Sequence, residues 1–324
     1  MAIVTPPENA TQFFKDHVEE LFPYYSDETV IKNFVRFRDG KEVLSYILNR
    51  YTKDLMWQCI GSQAKTVSPW DILCDEKLFK QMMDYIKKKS DFYEHHTAVW
   101  NVDSFMRNGS LTKKVSNFDP KQVQKIVRQF FGPITKGLTY VDTSAGWCAR
   151  LCGALSLDMN YIGIDVNHEL VKRLNLCGNF ILDNKLSQGT FKILEQGSEI
   201  HNPELDGIAD IVLTSPPYFN LEKYSDDNSA STKNYDNYPL WLSEFSRPTI
   251  QNIYKYLKVG GYAVINIKNN VAGGKEPLYD DWVKIFKEID GFEELEPITY
   301  KVNKKAWCSD KQHFEPMMVF RKVK

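Results

Sequence analysis

The chain lacks an excess of charge of either sign. Its 324 residues carry 41 Lys and Arg against 42 Asp and Glu, a formal net charge of −1. The balance holds on both sides of residue 116. A protein that coats nucleic acid by general electrostatic attraction carries a basic excess, so the composition argues against that class. Binding to nucleic acid would then depend on a local basic patch.

The sequence also lacks the marks of a membrane or exported protein. No apolar run reaches membrane-spanning length, and MAIVTPPENATQFF has no basic segment followed by an apolar one. The six cysteines show no disulfide spacing, which predicts reduced thiols in a cytoplasmic protein. Cys148 and Cys152 lie four residues apart, but no second Cys or His pair follows, so we interpret them as core residues and predict no metal site.

The spacing of apolar residues changes near residue 116. Residues 1–115 show the apolar spacing of helices in ETVIKNFVRF, KEVLSYILNRY and EKLFKQMMDYIKKK. Residues 116–324 alternate helical patterns with short apolar runs, namely TYVD, YIGID, FKIL, DIVLT and YAVINI. This predicts an α/β fold with a mostly parallel sheet wound on both faces, and ITYKV and PMMVFRK pairing antiparallel at one edge. We therefore predict a mainly helical domain over 1–115 and an α/β domain over 116–324.

Three predicted strands end in residues suited to binding a ligand. TYVD ends at Asp142 and turns through the small residues 143–146, which let a ligand approach the backbone before a helix begins. YIGID ends at Asp165, at an offset that suits a carboxylate binding ribose hydroxyls. DIVLT runs into SPPY, although proline cannot serve a central strand. Because ligands bind beyond the carboxyl ends of parallel strands, we expect these three strand ends to border one crevice.

Together these segments resemble the class I S-adenosylmethionine-dependent methyltransferases that modify exocyclic amino groups of DNA bases, the N4-cytosine/N6-adenine family. That family carries (Asp/Asn/Ser)-Pro-Pro-(Tyr/Phe/Trp) after its fourth strand, and this chain has SPPY. DTSAGWCA is similar to its cofactor loop, YIGIDVNHE to its ribose-binding strand end, and SNFDPKQVQKIV and LKVGGYAVINI to two further elements. The resemblance covers roughly residues 116–324 and implies a Rossmann-like methyltransferase sheet with S-adenosyl-L-methionine as cofactor.

The resemblance implies a set of cofactor-binding residues: Phe118, Asp142, Ser144, Ala145, Gly146, Asp165 and Ser198. Two positions depart from the family pattern. Cys148 follows Trp147 where a second glycine is usual, so we expect either a different loop path or a pocket wall formed by Trp147. Ser198 stands where an acid commonly contacts the adenine, and Glu195 and Glu199 are alternatives for that contact.

The SPPY residues imply a way to activate an amine whose lone pair is delocalised into a ring. The Ser215 hydroxyl and the Pro216 carbonyl would accept its two N–H bonds and aim the lone pair at the methyl group. The proposed catalytic set is Ser215, Pro216, Pro217 and Tyr218, with Tyr218 offering a ring on which a flipped-out base stacks. The polar, aromatic stretch that follows supplies candidate substrate-binding residues: Phe219, Asn220, Glu222 and Tyr224.

These observations favour a DNA amino-methyltransferase that takes its target base, flipped from the duplex, into the pocket. Serine at the head of the signature favours cytosine N4 over adenine N6 by resemblance. An RNA base or a protein glutamine amide as substrate, and a non-catalytic partner subunit, remain alternatives. Residues 1–115 are the one stretch large enough for target recognition or partner contact, and a homodimer or a partner subunit stays open.

Overall fold

The computed structural model describes residues 4–61, 65–89, 96–108, 111–219, 235, 237–269, 276–302 and 313–324. Two compact units divide these residues, one holding those up to Phe118 and the other those from Asp119 onward. In the described part of the chain, no helix has both the length and the apolar character needed to span a bilayer.

The first unit is helical. Its described helices are α1 Gln12–Leu21, α2 Asp27–Arg38, α3 Tyr46–Gln58, α4 Pro69–Cys74, α5 Glu76–Lys88 and α6 Ala98–Asn108. Its core gathers large apolar side chains from α1 and from α3 to α6, among them Phe14, Trp57, Ile72, Met82 and Phe105. In VSPWD, Ser68 caps α4 in a capping box and Pro69 is the first residue of the helix, so this segment starts a helix.

The described residues of the second unit are built on one sheet of seven strands. The strands are β1 Thr139–Asp142, β2 Asn160–Asp165, β3 Phe191–Glu195, β4 Ala209–Thr214, β5 Leu257–Asn266, β6 Phe292–Val302 and β7 His313–Lys322. Their order across the sheet is β3-β2-β1-β4-β5-β7-β6. The first five pair in parallel, and β7 pairs antiparallel with both β5 and β6. The predicted α/β class and its antiparallel edge are therefore confirmed.

Helices connect these strands and cover the sheet. They are α7 Pro120–Phe131, α8 Ala149–Leu155, α9 His168–Asp183, α10 Tyr238–Trp241, α11 Arg247–Tyr256 and α12 Leu278–Lys287, with a π-helical turn, Leu242–Ser246, joining α10 to α11. The main core packs Trp241, Ile253 and Trp282 from this helical layer against β-strand residues such as Val212 and Ile265.

The order of the strands determines where a ligand crevice opens. The chain adds β2 and β3 on one side of β1 and then returns to place β4 on the other side. In such sheets the crevice lies at this reversal, beyond the carboxyl ends of the strands. The neighbouring strands β2, β1 and β4 end there at Asp165, Asp142 and Thr214.

Candidate active site

Asp142 is the centre of a buried polar network at the end of β1. Its side chain has no exposed surface, and one carboxylate oxygen accepts hydrogen bonds from Arg150 Nε at 2.7 Å and from the Tyr161 hydroxyl at 2.9 Å. The other oxygen accepts from Thr214 Oγ1 at 2.9 Å and from the Ser144 amide at 3.3 Å. A carboxylate with this many partners is satisfied by the protein itself. Its side chain therefore positions the strand ends.

Arg150 holds the cofactor-type loop against this network. It is 6% exposed, and besides Asp142 it donates to the Ser144 carbonyl. Burial lowers the pKa of Arg150, but the facing Asp142 carboxylate more than offsets this, so its pKa lies above the usual value. Arg150 therefore stays protonated, and together with Asp142 it clamps the loop from both sides of Ser144.

Two residues of the loop have positive backbone φ angles. Gly146 has φ of +60° and Cys148 has φ of +61°. Cys148 thus adopts a left-handed backbone conformation that a glycine would adopt with less strain. Its side chain is fully buried beside Cys177, and Trp147 is 9% exposed. Both residues that depart from the family pattern are therefore core residues.

Asp165 presents a half-buried carboxylate at the end of β2. One oxygen accepts from the Gly146 amide at 3.1 Å and the other from the Asn167 amide at 3.0 Å. Burial raises the pKa of Asp165, and the two backbone hydrogen bonds counteract part of that rise. Each oxygen keeps a lone pair beyond these bonds, so the group can accept two further hydrogen bonds from a ligand.

The SPPY segment follows directly from β4. Ser215 Oγ donates to the Asn266 carbonyl at 3.1 Å, and the Tyr218 hydroxyl donates to the same oxygen at 3.2 Å. Asn266 is the last residue of β5, so both side chains are tied to the neighbouring strand end. Pro216 is buried, whereas Ser215, Pro217 and Tyr218 are partly exposed. The segment is thus fixed at the crevice through one shared acceptor.

The loop and the SPPY segment are linked through Thr214. Its hydroxyl donates to Asp142, so the residue before Ser215 is joined to the network that holds the loop. Thr214, Arg150 and Tyr161 were not predicted from the sequence. Thr214 and Tyr161 reach Asp142 from 72 and 19 residues away, so no local pattern connects them. A helical arginine shortly after the loop was the available signal.

Thr143 supplies evidence that a polar ligand belongs at the loop. It is 2% exposed, and its hydroxyl has no hydrogen-bond partner among the described residues. A buried hydroxyl left without a partner is costly. Together with the open carboxylate of Asp165 and the side-chain-free Gly146, this orphaned group fits a polar cofactor bound over the loop.

Ser198, expected to contact adenine, has its polar atoms engaged elsewhere. Its hydroxyl lies 3.1 Å from Thr249 Oγ1, its carbonyl accepts from Asn252 Nδ2 at 2.9 Å, and it is 5% exposed. These bonds hold Ser198 to α11. Of the two alternatives, Glu195 pairs with His168 at 2.9 Å, and Glu199 is partly exposed.

An aromatic group lies beside the SPPY segment. The Phe219 ring is 5.4 Å from that of Tyr238 and 5.8 Å from that of Trp241. Asn220, Glu222 and Tyr224 lie outside the described residues. Phe118 is the last described residue of the helical unit, one residue before the Asp119 cap of α7.

One family model matches the C-terminal part of the chain. Residues 209–324 match the family model described as DNA methylase, of the N6/N4 type. This match supports the N4-cytosine/N6-adenine methyltransferase family predicted from the sequence. The fold and the match support an S-adenosylmethionine-dependent methyltransferase with that compound as its cofactor.

Solved structures give more distant comparisons. A tRNA methyltransferase, TrmI, from Aquifex aeolicus is 13% identical, with 65% of this chain and 71% of that chain covered and a TM-score of 0.41. A TehB-like methyltransferase from Corynebacterium glutamicum is 12% identical, with coverages of 75% and 98% and a TM-score of 0.39. A search of curated proteins found no match.

Proposed function

We propose that this protein transfers a methyl group from S-adenosylmethionine to an exocyclic amino group of a DNA base, with cytosine N4 favoured over adenine N6. The observation that carries the proposal is the hydrogen bond from Ser215 Oγ to the Asn266 carbonyl, at the strand end beside the crevice. The family match, described as DNA methylase, supports the choice of DNA. Serine at the head of the signature favours cytosine by resemblance.

The bond to Asn266 determines what Ser215 can offer a substrate. A hydroxyl has one proton and two lone pairs. With that proton donated to Asn266, the remaining capacity of Ser215 is to accept a hydrogen bond. A substrate group next to it must therefore bring an N–H or O–H donor, and the exocyclic NH₂ of cytosine or adenine does so. A ring carbonyl in the same place is itself an acceptor, so it would face a lone pair of Ser215 and form no hydrogen bond.

The Pro216 carbonyl is the proposed second acceptor for the amine. The two rings hold the backbone torsions φ of Pro216 and Pro217, so the carbonyl between them has little freedom to turn away. Two acceptors would fix both N–H bonds and leave the nitrogen lone pair directed along the remaining axis. The cofactor supplies the activated methyl group, and the protein contributes position and orientation.

The cofactor side of the crevice has three proposed contacts. Asp165 would accept hydrogen bonds from the two ribose hydroxyls, Gly146 would allow close approach of the methionine portion, and Thr143 would gain the partner that it lacks. Asp142 and Arg150 would hold the loop in place without touching the ligand.

The base side of the crevice would be aromatic. A base flipped out of the duplex loses its stacking, and an aromatic ring restores part of that energy. Tyr218 is proposed as this ring, because its hydroxyl is anchored to Asn266, and Phe219 as a wall of the base pocket. The proposed setting is the cytoplasm, with target recognition assigned to the helical unit.

The test is transfer of labelled methyl from the cofactor to separate pools of DNA, RNA and protein, followed by nucleoside and amino-acid analysis. We expect label in DNA as N4-methylcytosine, with N6-methyladenine as the second outcome within the proposal. Ser215→Ala protein serves as the control for contaminating activity. Label confined to RNA or to glutamine would refute the DNA assignment, and no transfer to any pool would refute the enzymatic one.

A further inference from the structure

The helical unit contains a cluster of charged residues that the methyltransferase site does not use. We call it the Asp103 cluster, and its members are Lys53, Trp57, Asp103, Arg107 and Lys114. Lys114 Nζ lies 3.2 Å from Asp103 Oδ1, Lys53 Nζ lies 3.7 Å from the same oxygen, and Arg107 binds the other oxygen. Three cations therefore converge on one carboxylate.

Local structure brings these groups together. Asp103 and Arg107 lie one turn apart on α6, and Lys53 and Trp57 one turn apart on α3. Lys114 follows α6 in a segment whose backbone is pressed onto Gly61: a Cβ there would lie 2.4 Å from the Lys113 carbonyl oxygen. Because Gly61 has no side chain, this segment can approach closely and place Lys114 next to α3.

The cluster is under-compensated in charge. Among the described residues, Asp103 is the one acid that pairs with Lys53, Lys114 and Arg107, which leaves two positive charges in excess. Burial would raise the pKa of Asp103, but Lys114, Lys53 and Arg107 together lower it to about 2. Burial lowers the pKa of Lys114 to about 8 in spite of Asp103, and that of Lys53 moves in the same direction. Cations that are costly to desolvate are retained where an anion completes the site.

A buried donor lies in the same cluster. Both ammonium groups lie near the Trp57 ring, with Lys53 Nζ 5.2 Å and Lys114 Nζ 5.6 Å from its centre. Trp57 is 1% exposed, and its Nε1–H has no acceptor in the part of the chain that the structure describes. A buried indole N–H normally finds an acceptor. The surplus positive charge calls for an anionic ligand, and the Trp57 N–H is a further polar group of the cluster without a partner in the described residues.

An exposed aromatic residue favours nucleic acid over an acidic peptide as that ligand. Trp100 lies on the same face of α6 as Asp103 and Arg107, at positions i, i+3 and i+7. Its ring is 39% exposed and stacks on His96 with centroids 3.6 Å apart. Basic groups beside exposed aromatic rings are typical of surfaces that bind a phosphate backbone and stack its bases.

We infer that Lys53, Arg107 and Lys114 form a phosphate-binding site in the helical unit, through which the protein holds the phosphodiester backbone of its DNA substrate. The identity of the ligand as DNA rests on the proposed function, whereas the anion site does not. The site supplies the local basic patch that a chain with a net charge of −1 needs in order to bind nucleic acid.

The experiment measures binding of a fluorescein-labelled DNA duplex of mixed sequence to the full chain, as a function of salt. Lys53→Met with Lys114→Met removes two charges and keeps apolar stems for packing. We expect weaker binding at every sequence and a salt slope shallower by about 2. Lys77→Met with Lys80→Met, at exposed positions of α5, makes the same change in charge and should leave binding unaltered. Equal binding by the cluster variant and the native chain would overturn the inference.

Lys114→Arg keeps the proposal testable if the double variant does not fold. Native binding should weaken as the pH rises through about 8, because Lys114 then loses its proton, and Lys114→Arg should flatten that profile. An unchanged profile in Lys114→Arg would contradict the inference. If the cluster binds poly-glutamate in preference to the duplex, its ligand is an acidic protein and the assignment to DNA is wrong. The two proposals can fail separately. If the cluster variant loses duplex binding while the native chain methylates no DNA, the phosphate site stands and the proposed function is refuted.

Discussion

Replacing Ser215 with alanine should separate methyl transfer from cofactor binding. The variant loses the acceptor proposed for the substrate amine and the bond from Ser215 Oγ to the Asn266 carbonyl. A hydrogen bond to a group that develops charge contributes about 1.5–3 kcal/mol, which corresponds to a decrease of about 10- to 150-fold in kcat. Loss of the partly exposed Asn266 bond should lower the free energy of unfolding by about 1 kcal/mol.

The assay compares kcat for labelled methyl transfer with the Kd for the cofactor measured by calorimetry. We expect Kd to stay within about twofold, because Ser215 contacts none of the loop residues through a hydrogen bond in the described structure. Tyr218→Phe is the matched control, since it removes the other donor to Asn266 and keeps the ring. Its effect on kcat should be smaller.

Ser215→Asn provides the complementary test. An amide can donate to Asn266 and still accept from the substrate, so this variant should recover part of the activity that alanine loses. An equal loss of turnover and cofactor affinity in Ser215→Ala would refute the assigned role. So would an unchanged kcat.

Three further predictions concern the loop and its supports. Asp165→Ala should weaken cofactor binding about 10- to 100-fold. Because burial raises the pKa of Asp165, the cofactor affinity of the native protein should fall as the pH is lowered towards that pKa. Calorimetry that shows no such pH dependence would contradict the assignment. Arg150→Met leaves Asp142 buried without its cation and should cost about 3–5 kcal/mol in urea unfolding. Arg247→Met breaks an exposed pair and should cost below about 1 kcal/mol, so similar losses would refute this contrast. Gly146→Ala and Gly137→Ala both place a side chain at positive φ and should both lower stability. Only Gly146→Ala should also weaken cofactor binding. Equal cofactor affinity in the two variants would rule out close approach of the cofactor to Gly146.

The sequence predicted the strand ends well because they are local features. TYVD, YIGID and DIVLT end in the structure at Asp142, Asp165 and Thr214, as expected from apolar runs that stop at polar or small residues. The start of β5 was less well predicted. LKVGG resembles a turn, but it lies within β5, where a Cβ on Gly261 would be 3.0 Å from the Ala209 carbonyl oxygen. Composition does not distinguish a glycine that turns from one that allows a strand to approach closely.

The roles of individual polar residues were harder to predict. An acid at a strand end suits either a ligand or an internal partner, and only its burial and bonds show that Asp142 serves the second purpose. The same holds for Ser198, whose hydroxyl meets Thr249. Cys148 appeared to disrupt the loop, yet it keeps a left-handed backbone and buries its thiol.

The α/β class, the position of the SPPY segment and the resembled family were predictable from the sequence, because periodicity and short motifs are properties of neighbouring residues. The hydrogen-bond partners of those residues were not, because they depend on how the chain folds. Asp142 meets Tyr161 and Thr214, and Lys53 meets Asp103, across long stretches of chain that no local pattern connects. Burial and charge compensation arise from such distant contacts, so the direction of the Ser215 proton and the surplus charge around Asp103 emerge only after folding.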